Sequence, residues 1–316
     1  MDKKGNKYTE ADVNKITDAS GRVKVPFSME LAKHRPDYGE FIKSSKIEWD
    51  GIEGHKTFGP DMKISEIRKM GIKQSIVPCR EMLQIKEVDG KVEKWKNRLV
   101  IQGSQYNCKK GEHYTDTYSP APNCTTTRIL LSLVVQLGLL LLSVDISQAY
   151  LWGRMPLHER MPIRMPLHRR KYDKHTGEEL YRVLLGSCYG CPQSSRVWGN
   201  LRDDWFLSEF NKNGWTCTKS RRDPCLFIFT HSKKSKVKYA RAGRYMGIIN
   251  SYKTSCSEPK EKPPSLREYG FDDPTVDYTL LVVHSDDLDI VGESKADLDY
   301  IATRLHDRFK IAYGDP

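Results

Sequence analysis

The chain has no long apolar run. Its most hydrophobic stretch, Ile129 to Val144, is interrupted by Ser132, Gln136, Gly138 and Ser143. That is too short and too polar for a membrane span, and it reads as a core helix running into a strand. A secretory signal is missing as well, because the polar start Met-Asp-Lys-Lys-Gly-Asn-Lys is not followed by an apolar core. The eight cysteines, at 79, 108, 124, 188, 191, 217, 225 and 256, follow no framework spacing, which suits a reducing intracellular compartment, cytoplasm or nucleus. Cys188 and Cys191 have metal-site spacing but lack a second pair or a histidine partner, so zinc is not expected. No glycine-rich loop is present to cradle a phosphate, which leaves a generic phosphotransferase without support. Acidic residues are in the minority: 52 Lys and Arg face 41 Asp and Glu, a formal net charge of +11. That balance suits a polyanion, of which nucleic acid is the commonest.

What is present is enough for a sizeable core: 316 residues, 38% of them hydrophobic, suggest one large domain or two smaller ones. Residues 1–45 are lysine-rich with little periodicity and read as a flexible leader. Ile47 to Phe58 suggests a short helix ending in a turn. Ser75 to Val88 alternates as a strand, Asp89-Gly90 is a hairpin signal, and Val92 to Gln102 returns with Lys94, Lys96 and Arg98 on a polar face. Thr125 to Thr127 offer cap hydroxyls for a helix over Arg128 to Leu137, closed by Gly138. Residues 154–174 hold a near-repeat, Met155-Pro-Leu-His-Glu-Arg160 and Met165-Pro-Leu-His-Arg-Arg170, which reads as a basic surface loop whose prolines exclude a helix. A short strand follows at Leu180 to Leu184, then a helix to about Phe210 and a strand over Asp223 to Phe229. The basic, proline-bearing insert 230–277 is linker-like. Ser294 caps a helix over Lys295 to Phe309.

The chemistry concentrates in Tyr278-Thr-Leu-Leu-Val-Val-His-Ser-Asp286-Asp287-Leu-Asp-Ile-Val-Gly292. Two adjacent carboxylates at a tight turn between buried strands repel each other, so they take up a proton or are neutralised by a cation, for which a hard divalent ion is the usual answer. An ordinary polar turn is the plain alternative. A third carboxylate weighs against it: Asp145 also closes an apolar strand, a costly place for a charge unless it is paired, liganded or exposed. If the two strands are neighbours in one sheet, the three carboxylates converge.

These pieces, in this order, resemble the reverse transcriptase of copia-type LTR retrotransposons from about Ile47 onward. Lys96-Asn-Arg98-Leu-Val-Ile-Gln-Gly103-Ser-Gln105 is similar to the family's Lys-x-Arg-Leu-Val-x-x-Gly-x-x-Gln segment. Tyr114 to Pro120 with Arg128 is similar to its Thr-Phe-x-Pro-Val and following Arg. Val144 to Gly153 resembles the Asp-Val-x-x-Ala-Phe-Leu-x-Gly box, with Tyr150 in the aromatic position. Leu185 to Trp198 resembles the Leu-Tyr-Gly-Leu-Lys-Gln-x-x-Arg-x-Trp box, and the opening stretch occupies the place of the Tyr-Val-Asp-Asp box.

The resemblance implies an α+β, right-hand polymerase fold with palm and fingers, its antiparallel palm sheet backed by helices. It divides the chain into the leader, a fingers-like region over 46–138 with the basic hairpin, a palm over 139–229, the insert, and the Asp-Asp hairpin with its following helix over 278–316, ending before a thumb. It implies an RNA-directed DNA polymerase that adds dNTPs to a primer 3′ end on an RNA or DNA template. Asp145, Asp286 and Asp287 would hold two Mg²⁺, or Mn²⁺ in their place, to stabilise the attacking and leaving oxygens. Lys96 and Arg98 would contact the triphosphate, Gln193 would lie near the nucleotide, and Tyr150 would stack under the sugar and exclude a 2′ hydroxyl. Basic residues would grip phosphates without reading sequence. His284 and Ser285 stand beside the site where Tyr-Val is usual, Asp289 places a charge in a strand that is normally apolar, and Cys191-Pro192 replaces Leu-Lys. These departures leave open a catalytically inactive descendant that only binds nucleic acid.

Overall fold

The computed structural model describes residues 24–88, 91–212, 214–232 and 276–313. The described residues divide into two units, those within 24–117 with 150–198, and those within 118–149 with 199–313. The architecture is mixed α+β, with two sheets and six α-helices among the described residues.

Alternation builds the first unit. Its sheet runs β1 (Phe58–Met62), β6 (Tyr181–Leu184), β5 (Pro162–Arg164), β2 (Val77–Val88), β3 (Lys91–Ile101). β2 and β3 form a long antiparallel pair from Cys79 opposite Ile101 to Val88 opposite Lys91; the expected tip, Asp89-Gly90, lies outside the described residues. Since side chains alternate across a strand, Leu99 and Ile101 are buried on one face, while Lys94, Lys96 and Arg98 share the other.

Helix α1 (Met29–Ala32), capped by the Ser28 side chain, and α2 (Tyr38–Gly54) replace the flexible leader expected over 24–45; residues 1–23 lie outside the described residues. Met29, Ala32 and Phe41 pack around Leu83. The buried stripe of α2 is Phe41, Ser44, Ser45, Glu48, Trp49 and Ile52. Half of it is polar, so its 3.6-residue period is invisible to hydropathy. The polar members stay inside because they are satisfied: Glu48 accepts from the Leu99 amide at 2.9 Å, and Ser45 donates to Glu81 at 2.9 Å.

Glu81 is 4% exposed and accepts as well from Trp49 Nε1 at 2.6 Å, Arg169 Nε at 2.9 Å and Asn97 Nδ2, with His168 Nε2 at 3.1 Å. Arg169 also lies over the Trp49 ring at 4.3 Å. Here the near-repeat departs from its expected place on the surface. Met155, Met161 and Met165 are buried, Pro162–Arg164 is strand β5, and each copy ends in a short 3₁₀ turn, Leu157–Glu159 and Leu167–Arg169. Proline forbids an interior helical position but not the entry to such a turn. Glu159, 1% exposed, accepts from Thr115 Oγ1 at 2.7 Å and Arg196 Nη2 at 2.7 Å. Ten residues on, Arg169 holds Glu81. The two copies therefore anchor with opposite charges.

The second unit has an antiparallel sheet ordered β11 (Ile311–Tyr313), β4 (Leu140–Ile146), β10 (Asp287–Gly292), β9 (Val276–His284), β8 (Leu226–Ser232), β7 (Trp215–Lys219). On one face, α5 (Ser194–Glu209) and α6 (Lys295–Phe309) contribute an aromatic layer. Phe206 meets Phe227 edge-on at 5.0 Å, Phe210 meets Phe229 at 4.9 Å, and Trp205 meets Phe309 at 5.0 Å. Such rings are each worth about 1.5–3 kcal/mol on burial, and they fix the sheet from beneath. On the other face α4 (Cys124–Leu137) packs Leu130, Leu133, Val134 and Leu137 on Leu280, Val282 and Val291. Its cap is Asn123, which accepts from the Thr125 amide, rather than the expected threonines; Gly138 closes it at φ +61° as expected. Ser294 caps α6. Among the described residues no helix is long and apolar enough to cross a membrane.

Candidate functional site

The second sheet brings the expected carboxylates to one end. β4 and β10 are antiparallel neighbours, and Asp145 stands directly opposite Asp287. Directly opposed residues point to the same face, with Cα atoms about 4.5–5.5 Å apart. Asp286 forms the hairpin tip with Ser285, which takes the left-handed conformation at φ +66°. The tip is tied to β4 by the Ile146 amide, which donates to the Asp286 carbonyl at 2.9 Å. Asp287 is exposed, and Asp145 and Asp286 are half-buried.

Two of the departures noted in this box, His284 and Asp289, lie diagonally on one face of the hairpin. His284 is paired across the hairpin with Asp287, and its Nε2 lies 3.8 Å from Asp289. Asp289 in turn accepts from Ser143 Oγ at 2.6 Å. Asp289 therefore lies on the carboxylate face with partners and is not a charge sealed in a core. Asp223, which the sequence did not single out, lies near His284. Burial pushes its carboxyl up, but hydrogen bonds from Thr126 and from the Asn123 and Cys225 amides, with the nearby His284, hold it below the usual range.

Three carboxylates on adjacent strands are hard oxygen donors, the kind that suits Mg²⁺ or Mn²⁺. Among the described residues, no three Asp, Glu, His or Cys side chains are close enough to hold a metal ion as they stand. The fit lies in the kind and strand position of the donors.

A second constellation belongs to the first unit. The Arg98 guanidinium lies over the Tyr189 ring at 4.9 Å, and Tyr189 meets Tyr150 at right angles, 5.3 Å apart. Ser195 Oγ donates to the Tyr150 hydroxyl at 3.3 Å, and Ser187 holds the Tyr150 carbonyl. Lys96 is exposed on the same face of β3. Thus Arg98 and Tyr150 are brought together through Tyr189, a residue to which the sequence reading assigned no role. Gln193, expected near the nucleotide, is 0% exposed. Its Nε2 donates to the His113 carbonyl at 3.1 Å and its Oε1 accepts from Cys191 Sγ at 3.2 Å, so it braces the turn from inside and offers no polar atom to solvent.

That turn depends on Gly190, at φ +78°, where an added Cβ would sit 2.3 Å from the Ile101 carbonyl oxygen. The same close approach lets the Ile101 amide donate to the Tyr189 carbonyl at 2.8 Å. Gly190→Ala must therefore separate β3 from the turn as well as adopt a strained backbone. It should destabilise the protein by at least about 3 kcal/mol, read as a lower urea midpoint. An unchanged midpoint would refute this placement of the turn.

Comparison with known proteins agrees with the geometry. Residues 65–219 match the family model described as reverse transcriptase (RNA-dependent DNA polymerase), a span that contains Lys96, Arg98, Asp145, Tyr150 and Gln193 and stops before the Asp286-Asp287 hairpin. The Retrovirus-related Pol polyprotein from transposon TNT 1-94 of Nicotiana tabacum is 25% identical over 211 residues, 66% of this chain and 14% of that protein. Those from transposons RE2 and RE1 of Arabidopsis thaliana are 31% identical over 125 residues (39% of this chain, 8% of that protein) and 34% identical over 82 residues (26% and 6%). The chain thus spans 14% or less of the length of these relatives. Residues 65–219 thus match the reverse transcriptase family model, and the chain is a distant homologue of copia-type retrotransposon Pol polyproteins.

Proposed function

We propose that the chain is an RNA-directed DNA polymerase domain, with the first unit as fingers and the second as palm, that extends a primer with dNTPs on an RNA or DNA template. The observation that carries this reading is Asp145 standing opposite Asp287 at the end of an antiparallel sheet, beside the Asp286 tip. Phosphoryl transfer of this kind is mostly positioning and charge neutralisation, and rigid strands supply the positions. Asp145, Asp286 and Asp287 would hold two Mg²⁺ or Mn²⁺; bound there, the ions stabilise the attacking and leaving oxygens. Arg98, held over the Tyr189 ring, presents a planar donor to a triphosphate, and Lys96 adds a point charge on the same face. The Tyr150 ring, fixed by Tyr189 and Ser195, forms the wall against a 2′ hydroxyl. Gln193 acts through the turn it braces. The exposed basic residues grip template and primer through phosphates, so binding weakens with salt.

Primer extension on poly(rA)/oligo(dT) with Mg²⁺ or Mn²⁺ tests the proposal. Salt-sensitive binding without extension would overturn it in favour of an inactive, nucleic-acid-binding descendant. Tyr150→Ala should raise incorporation of rNTPs relative to dNTPs by at least about tenfold, on the order of one lost steric or stacking contact; an unchanged ratio removes Tyr150 from sugar selection.

A further inference from the structure

Arg202 on α5 is 4% exposed, and nothing in the proposed chemistry uses it. Its Nε and Nη2 donate to Oδ1 of Asp203 at 2.9 and 2.6 Å, while the other oxygen of Asp203 accepts from Lys219 Nζ at 2.5 Å. The remaining arm leaves the helix: Nη1 donates to the Ser285 carbonyl at 3.3 Å. That carbonyl belongs to the peptide that carries the amide of Asp286. On the other side of the same residue, the Asp286 carbonyl accepts from Ile146. Both peptides that flank Asp286 are therefore held, one by a buried guanidinium and the other by the strand that bears Asp145.

Burying a cation is costly, and a well-packed apolar side chain would join helix to sheet at least as well. What the guanidinium adds is a directed bond to the peptide that precedes Asp286. We propose that Arg202 is the positioning residue of the Asp286-Asp287 hairpin, an inference that rests on the polymerase reading for its purpose. Arg202 sets the plane of the Ser285–Asp286 peptide, and with it the direction in which the Asp286 carboxylate leaves the backbone.

The test pairs hydrogen exchange with metal binding on the full chain, using Mn²⁺ as the probe and its free-ion EPR signal as the readout. Arg202→Gln, and Arg202→Lys as the variant that keeps the charge but cannot reach both Asp203 and Ser285, are compared with the wild type and Asp286→Asn. In Arg202→Gln the amides of residues 285–287 should exchange at least tenfold faster while those of α6 keep their wild-type rates, and Mn²⁺ affinity should fall about tenfold. Arg202→Lys should recover neither the protection nor the affinity, because a charge without the bond to Ser285 leaves the peptide unheld. Unchanged exchange at the hairpin in either folded variant overturns the proposal, as does wild-type Mn²⁺ affinity in both. If wild-type Mn²⁺ binding does not depend on Asp286, the polymerase reading falls instead, and the exchange data still decide what Arg202 does to the hairpin.

Discussion

Asp286→Asn is expected to reduce primer extension by about a thousandfold, the scale of losing a charged group at a developing phosphoryl transition state, while leaving affinity for template and primer within about twofold. Asparagine keeps the size and one oxygen of the carboxylate, and the backbone bond from Ile146 to the Asp286 carbonyl is untouched. What is lost is one negative charge at the tip, beside the opposed pair of Asp145 and Asp287. Without metal, removing one of several like charges relieves repulsion, so thermal stability should hold or rise slightly. Loss of activity with gain of stability separates a metal-holding carboxylate from a structural one. Extension rates with Mg²⁺, melting curves without it and fluorescence anisotropy on labelled primer-template supply the three readouts; extension that survives the change refutes the assignment.

The second large effect belongs to Glu81. Replacing it with glutamine leaves Arg169 without its buried counter-charge and supplies one acceptor oxygen where Ser45, Trp49, Asn97 and Arg169 all donate. Breaking a buried pair in this way costs about 3–5 kcal/mol, read as a shift of the urea midpoint. The effect has a defined pH dependence. Burial pushes the Glu81 carboxyl up, but hydrogen bonds from His168, Trp49 and Asn97 and the His168 charge outweigh it and bring it down to about 2. A carboxyl depressed in the folded state stabilises fully above its unfolded value of 4.5 and loses that contribution as pH falls toward 2. The stability gap between wild type and Glu81→Gln should therefore close progressively as pH falls below about 4.5 toward 2. A gap that widens on acidification would show that Glu81 is not charged in the fold.

The sheet that carries the site was legible because its strands are apolar and bounded: the Asp145 strand, the Asp-Asp hairpin and the helix capped by Ser294 lie within a residue or two of where alternation and capping put them. Their adjacency was expected only conditionally, since no local pattern states which strands pair. The helix over 38–54 was missed in its first half because Ser44, Ser45 and Glu48 occupy core positions, and burial of polar groups depends on partners distant in sequence. The same limit hid Arg202 and Asp223, whose tasks are set by a hairpin and a helix far along the chain. Gln193 was found by motif, but a motif fixes identity and not the direction of a side chain, and here the amide points inward. His284 and Asp289 looked like two separate oddities until the pairing of β9 with β10 placed them as diagonal neighbours on one face.

The near-repeat has a consequence for how the first unit finds its register. Two segments that both read Met-Pro-Leu-His-x-Arg could each settle into the other's seat during folding, since the buried methionine and the 3₁₀ turn are common to both. The fifth position forbids the exchange. A slip of ten residues in one direction would bring Arg169 to the guanidinium of Arg196, and in the other Glu159 to the carboxylate of Glu81, each a like-charge contact in place of an ion pair. The inverted charges act as a lock and key within one chain, so that a duplicated sequence still has a single way to fold.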